Sequence, residues 1–388
     1  MQPDLAQDVL SRLRAHLREK SKDLVETVVA RVARDYIDPA IHDAELRGIF
    51  HRLPLPVAHE SRLRAPGDFL TVRVVGTPVL LVRDPEGQVR AFLNVCRHRG
   101  SLLESAPAGH RTSLLCPYHG WRYELDGRLA NITARECFAD LDTGRLGLVE
   151  LPVSVCEGLI FVITRPGEPF DARQWLGTVA EHLASVEMAS HQHFRTEIIE
   201  TRFNWKIGVE GSLETYHFRY LHPATVSSLF TGMATLYDYW RPHQRLAVPK
   251  LTLAGTSADA DPASAVRQQA LLTYFIFPCV LVSLANDHLL ITSFFPRGTG
   301  GCSMVYSMLT PAAQSTPAFQ AHWERTWSLT RSVLSEDFAA QEGIQGAVEG
   351  GYDQPILFGR FEQALQRFRS DIDAALATAA PGGAPGRS

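Results

Sequence analysis

Cys96-Arg97-His98-Arg99-Gly100 and Cys116-Pro117-Tyr118-His119-Gly120-Trp121 are the two stretches that decide the fold. Each offers one cysteine and one histidine, as C-x-H and then C-x-x-H. A [2Fe-2S] centre with two thiolates on one iron and two imidazoles on the other needs that set of four. Neutral imidazoles in place of two thiolates leave the cluster less negative and raise its potential. Structural zinc uses the same residue types, but usually as C-x(2–4)-C with H-x(3–5)-H. Here each run mixes Cys with His, and a Gly follows each His closely, as a tight loop over a cluster requires. The iron–sulfur reading is therefore preferred to a zinc-stabilised binding module.

Outward from these runs the texture is that of short strands. Residues 69–75 and 79–83 are rich in β-formers, Asp84-Pro85-Glu86-Gly87 is a turn by composition, and residues 89–95 return as a strand that feeds Cys96. After the second run, residues 121–125 and 128–132 flank Asp126-Gly127 as a further hairpin. An antiparallel β domain over residues 45–165 is expected, with the cluster loops at its tip and Arg165-Pro166-Gly167-Glu168-Pro169 as its exit. Before it, residues 1–44 read as a helical segment: Leu5, Val9, Leu13 and Leu17, then Leu24, Val28 and Val32, predict a helix over 4–37. An α+β region over 170–375 follows, with a helix at 203–223, strands at 271–277, 280–284 and 289–295, and a long helix at 318–347. Asn286-Asp287 joins the last two strands. The polar stretch 256–262 reads as a mobile loop, and 376–388 as a disordered tail whose last ten residues are rich in Ala, Gly and Pro.

Composition narrows the function classes. The 388 residues carry 38 basic and 42 acidic side chains without basic blocks, which gives no nucleic-acid footprint. Six cysteines without framework spacing fit a reducing, cytoplasmic compartment. The first 20 residues interleave acids and arginines and lack the apolar core of a signal peptide. The longest apolar stretch, 271–285, is interrupted by Pro278 and too short to span a bilayer, so no membrane association is expected.

A second metal site is suggested by His217 and His222. Five residues apart, they sit about 140° around an ideal helix and can share a metal only if the helix distorts or ends between them. Pro223 supplies a reason, because the residue before a proline avoids the helical region. Two His and one carboxylate make the facial triad of non-haem Fe(II) oxygenases, with positions left open for O2. Spacing alone leaves many acids as the third ligand.

Taken together, the two cluster runs, Asn204-Trp205-Lys206, Tyr216-His217 with His222, and Glu336-Asp337 followed by Glu342 and Gln345 resemble the Rieske non-haem iron oxygenase α subunits. The resemblance covers about residues 45–350. It implies an antiparallel β Rieske [2Fe-2S] domain followed by a helix-grip (Bet v 1/START-like) catalytic domain. It implies Cys96, His98, Cys116 and His119 as cluster ligands, and His217, His222 and Asp337 as ligands of a mononuclear Fe(II), with Glu336 as the alternative carboxylate. Glu214 matches the acid that bridges the iron site to a cluster His of the next subunit in a head-to-tail homotrimer. Most arene dioxygenases have Asp there; Glu resembles the enzymes that oxidise quaternary amines. Ser101 and Tyr118 stand where respiratory Rieske proteins have a second cysteine pair, and Trp121 where those proteins have a serine, which favours the lower-potential oxygenase type. The implied activity is O2-dependent hydroxylation or oxidative dealkylation of a small aromatic or amine-containing molecule, with electrons from a separate NAD(P)H-dependent reductase or ferredoxin. Arene cis-dihydroxylation, and an electron carrier with a ligand-binding domain, are the alternatives. Glu210 and Tyr216 lie near the iron by spacing. The pocket is expected to be lined by Tyr274, Phe275, Phe277, Val280, Val282, Leu289, Ile291 and Phe294, with residues 226–233.

Overall fold

The computed structural model describes residues 2–255 and 261–379. They fall into two units, one of Phe50–Trp175 and one of Met1–Ile49 with Leu176–Ser388. The first 49 residues therefore group with the C-terminal unit rather than standing apart.

In the Phe50–Trp175 unit, alternating β-branched runs pair as expected. Asp68–Val74, Thr77–Arg83 and Val89–Leu93 form the centre of an antiparallel five-stranded sheet. Its second turn is fixed by Asp84, whose fully buried carboxylate accepts from Gln88 N–H and Arg90 Nε, each at 2.8 Å. Leu114–Leu115, Arg122–Tyr123 and Leu129–Asn131 make a small separate sheet, and Val153–Cys156, Leu159–Val162 and Leu55–His59 another. Under the cluster loops, Phe69, Leu80, Phe92, Leu114, Trp121 and Tyr123 form one buried core that includes both cluster cysteines.

The other unit is built on a seven-stranded antiparallel sheet. Six strands follow one another across it, from Leu236–Trp240 through His243–Pro249, Ala270–Ile276, Val280–Leu284 and Leu289–Pro296 to Cys302–Thr310, and Gln192–Thr201 pairs with the last. The helix Gln320–Glu349 lies against this sheet. Trp323, Trp327, Gln341, Gln345 and Val348 recur on one buried stripe, and Asp337 falls on the same stripe. Arg331 to Glu197 (3.0 Å) and Trp327 against Tyr306 (5.1 Å between ring centres) fasten the helix to the strands. Gly350 and Gly351 end it.

Three expectations about local structure need correction. The N-terminal helix is Pro3–Glu19 and ends at Lys20 in the left-handed region; residues 21–37 are not its continuation. Val29–Arg31 is a strand paired with Ile356–Phe358. Leu24, Val28 and Val32 are exposed, so their spacing reports no buried face, and a run rich in β-branched residues prefers extended backbone. The helix expected over 203–223 is two pieces, Trp205–Ser212 and Phe218–Leu221, for a reason given below. The C-terminal helix Gln363–Ala379 runs through positions 376–379, where a disordered tail was expected; the rest of that tail, and most of the 256–262 loop, lie outside the described residues. Among the described residues no helix is long and apolar enough to cross a membrane.

Candidate active site

The two cluster runs fold as near copies of each other. Each is a six-residue loop closed by an antiparallel pair, Val95 with Leu102 and Leu115 with Arg122. In the first, Cys96 N–H donates to Ser101 O (2.8 Å) and Gly100 N–H to Cys96 O (3.0 Å). In the second, Cys116 N–H donates to Trp121 O (2.8 Å) and Gly120 N–H to Cys116 O (3.0 Å). Gly100 and Gly120 take φ of 77° and 70°, a region costly for any side chain, which is why each run needs its glycine. The loops bring His98 Nδ1 to 3.1 Å from His119 Nδ1, above two cysteines only 2% exposed. Trp121 stacks on His98 (4.9 Å, 9°) and Phe138 meets it edge-on, so the ring is held in one orientation. The Tyr123 hydroxyl accepts from Arg97 N–H (3.1 Å), leaving its proton for Cys96 Sγ at 3.3 Å. Burial raises the Cys96 thiol above its ordinary range and the Tyr123 bond opposes that rise. Two buried thiols beside two imidazoles whose Nδ1 atoms converge fit a [2Fe-2S] cluster and not a hydrated surface.

The second site begins at Asn204, which caps the helix Trp205–Ser212 by accepting from Lys206 N–H (2.9 Å), a contact worth about 1 kcal/mol. The helix stops after Ser212 because the Glu214 carboxylate, instead of pointing outward, accepts the N–H groups of Tyr216 and His217 and so starts a new turn. That turn ends at His222 before Pro223. His217 and His222 cap the two ends of that short turn, and the non-helical backbone of His222 (φ −117°, ψ 47°) ahead of Pro223 removes the 140° offset: the two imidazole centres lie 5.1 Å apart. From the long helix, Asp337 Oδ1 reaches to 2.9 Å from His222 Nε2 and 3.5 Å from His217 Nε2. Ligand atoms of His217, His222 and Asp337 all lie within 4.8 Å of one another. His217 Nδ1 rests on the Glu214 carboxylate and His222 Nδ1 on Glu336 Oε2 at 2.5 Å. Each ring thus has a carboxylate behind it and turns its Nε2 toward the shared centre. Burial pulls His222 down, but Asp337 and Glu336 outweigh it and hold the imidazole above its ordinary range.

These three side chains stand at one end of a cavity of about 240 Å³. Its expected lining was partly out of phase. Val226 and Phe230 do line it, but from the sheet come Leu271, Thr273, Leu281, Ser283, Leu290 and Thr292. Tyr274, Val280, Val282, Leu289 and Ile291 alternate with these and face away from the cavity. Phe275 packs on Phe368, and neither Phe277 nor Phe294 reaches the cavity. Apolar residues were the wrong guide because the sheet is buried on both faces; the other face is covered in part by Thr178–Ser185, whose His182 meets Tyr274 at 5.6 Å.

Comparison with known proteins matches the two parts of the chain in turn. The family description "Rieske [2Fe-2S] domain" matches residues 54–150, and "Ring hydroxylating alpha subunit (catalytic domain)" matches 187–378. The chain belongs to the Rieske oxygenase α subunits. This α subunit is 37% identical over 194 residues to the glycine betaine monooxygenase oxygenase subunit of Chromohalobacter salexigens, a match covering 50% of the chain and 43% of that relative, so it spans less than half of the relative's length. It is 28% identical to the carnitine monooxygenase oxygenase subunit of Escherichia coli K12 over 65% of the chain and 66% of the relative. Its fold matches a quaternary ammonium Rieske monooxygenase solved with L-carnitine (TM-score 0.76, 22% identity, 91% and 96% covered). It also matches naphthalene 1,2-dioxygenase from Rhodococcus sp. bound to indole (TM-score 0.77, 17% identity, 97% and 99% covered). A Rieske oxygenase α subunit uses a Rieske cluster, a mononuclear iron and O2, and the two donor sets described above fit both metal groups.

Two residues expected beside His217 and His222 lie elsewhere. Glu210 is buried behind the helix: its Oε2 accepts from the Tyr36 hydroxyl (2.6 Å) and its Oε1 lies 3.5 Å from Arg369 Nε. Helical spacing placed it near His217 only while the helix was taken as continuous. Tyr216 is 59% exposed and does not line the cavity.

Glu336, which the sequence offered only as an alternative ligand, takes a different position. Its Oε2 also accepts from Thr225 Oγ1 (3.0 Å), and its hydrogen bond with His222 holds the carboxyl below its usual range. The acidic pair at 336–337 was the available signal, since adjacent helix positions face different ways and cannot both enter one coordination sphere. Replacing Glu336 by Leu is expected to weaken mononuclear iron binding about 10- to 100-fold, and by Gln less, because the amide can still accept from Nδ1. Titration of iron-depleted protein with Fe(II) measures this; an unchanged affinity in the Leu variant would remove the positioning role.

Proposed function

We propose that this chain is the terminal oxygenase of a Rieske system in the cytoplasm. It hydroxylates or oxidatively dealkylates a small organic molecule, aromatic or amine-containing, with O2 and with electrons from a separate NAD(P)H-dependent reductase or ferredoxin. The observation that carries this reading is the convergence of His217, His222 and Asp337 at the end of a mostly apolar cavity, an arrangement a pure electron carrier does not need. In this reading those three residues would hold the iron, and Cys96, His98, Cys116 and His119 the cluster. When bound, the two metal groups supply electron delivery and O2 activation. The chain's own residues do the rest: Glu214 and Glu336 fix the two imidazoles, and the cavity wall positions substrate and excludes water.

Glu214 is assigned the bridge to a cluster histidine of the adjacent subunit in a homotrimer. Both of its oxygens are engaged within the chain, on His217 Nδ1 and on two backbone N–H groups. A carboxylate has about four acceptor positions, so capacity remains for one imidazole N–H from outside. Replacing Glu214 by Gln is expected to leave about three irons and two sulfides per chain while reductase-driven turnover falls by about 10-fold or more. Unchanged turnover would sink the bridge, and a missing mononuclear iron would make Glu214 a positioning residue only.

A further inference from the structure

Resting on the oxygenase reading, the cavity points to a substrate class different from that named for the glycine betaine and carnitine monooxygenase relatives. Among the described residues that line it there is no Lys and no Arg. The acidic side chains among the described lining residues are Asp337, which belongs to the candidate ligand set, and Glu214, which is bound to His217. Arg331, on the helix that supplies Thr330 and Asp337, faces Glu197 instead. A carboxylate lying away from the iron would be buried with no cation, at a cost that defeats binding. A fixed ammonium at that end would have no free carboxylate either.

What the sheet side of the cavity does carry is hydroxyls. Thr273 and Ser283 are register partners on adjacent strands, with their oxygens 3.0 Å apart. Thr292 stands on the next strand, opposite Leu281 and Tyr306 in register. In the Thr273–Ser283 pair one hydroxyl proton is spent between the two, so the other is free to donate into the cavity. The rest of the sheet lining is aliphatic, from Leu246, Val248, Leu271, Leu281 and Leu290, apart from Tyr306; one ring on this wall does not enclose an ammonium as an aromatic cage does. We propose that the substrate is uncharged and largely apolar, with one hydrogen-bond-accepting group held by Thr273 and Ser283, and that the cavity rejects carboxylated quaternary ammonium compounds.

The test is calorimetric titration of iron-loaded protein with four probes: acetophenone, ethylbenzene, glycine betaine and L-carnitine. Acetophenone and ethylbenzene have nearly the same shape but differ in the carbonyl. Acetophenone is expected to bind about tenfold more tightly than ethylbenzene, the value of one hydrogen bond in a dry site. Both charged probes should bind at least about 100-fold more weakly than acetophenone, as a buried unpaired charge requires. The double variant Thr273→Val/Ser283→Ala removes both hydroxyls and leaves neither unpaired; it should erase the carbonyl preference and leave ethylbenzene binding unchanged. A merely structural role would weaken both neutral probes alike. Betaine or carnitine binding as tight as acetophenone, no binding of acetophenone, or a carbonyl preference that survives the double variant would each overturn the proposal. The wild-type comparison requires no variant to fold. Metal analysis of the same sample separates the two readings: protein with its mononuclear iron that prefers a betaine overturns the substrate class alone, whereas protein that takes up no such iron overturns the oxygenase reading.

Discussion

Asp337→Asn is expected to leave the red-brown cluster intact while removing the mononuclear iron and at least about a thousandfold of the turnover, since a three-ligand site cannot lose its one anionic donor and keep a divalent cation. The substitution is nearly isosteric, and the side chain is only partly buried at the cavity edge, so the helix Gln320–Glu349 should tolerate it. What changes is charge. Two neutral imidazoles hold Fe(II) weakly, and an amide oxygen does not replace a carboxylate. Glu336 cannot step in, because its carboxylate lies on the Nδ1 side of His222 while the shared centre lies on the Nε2 side. Iron per chain should fall from about three to about two with sulfide unchanged at about two. Iron remaining at three would mean that the carboxylate ligand is another residue.

How much of this was legible beforehand follows from how local each feature is. The cluster loops are read directly, because all four donors sit in two short runs whose glycines and closing pairs are contiguous in sequence. The central strands were also legible from β-branched runs, and the long helix from the spacing of its apolar positions Trp323, Trp327, Leu329 and Val333, although Leu329 is exposed. The break after Ser212 was not legible. It depends on whether the Glu214 carboxylate points to solvent or back to Tyr216 and His217, and propensity cannot choose between a helix-interior Glu and a capping one. The cavity phase failed for a related reason. With both faces of the sheet buried, hydrophobicity carries no alternation, and the informative residues were the few that broke it: Thr273, Ser283 and Thr292. Asp337 needed the fold itself, since only the packing of the long helix against the sheet brings it to the two histidines. The same holds for Tyr36, Glu45, Lys206, Glu210 and Arg369, a buried ionic cluster assembled from three separate stretches of chain.

Cys116→Ser is expected to abolish the cluster altogether, with acid-labile sulfide near zero, loss of visible colour and no reductase-driven turnover. Cys116 has no substitute within reach: the other free cysteines of the Phe50–Trp175 unit are Cys96, which belongs to the same site, the exposed Cys137, and Cys156, which is buried in a strand of another sheet. A serine hydroxyl is far more reluctant than a thiol to lose its proton, so it is a poor anionic ligand in a buried loop. The loop itself should persist in part, since its closing hydrogen bonds are backbone ones and Trp121 and Tyr123 remain in the core below. Without the cluster, however, His98 and His119 are left facing each other at 3.1 Å, and His98 is already held below its ordinary range by burial and then by the His119 and Arg99 charges. With the His98 imidazole held below its ordinary range, the apo unit should lose stability as pH falls through the histidine range, an effect expected to vanish once the ring is bound to metal. The decisive control lies in the other unit. His217, His222 and Asp337 all belong to it, so Cys116→Ser should still bind about one iron per chain. Iron near zero would mean that the cluster-bearing unit is required for the second site to form, and iron near three with sulfide retained would mean that Cys116 is not a cluster ligand.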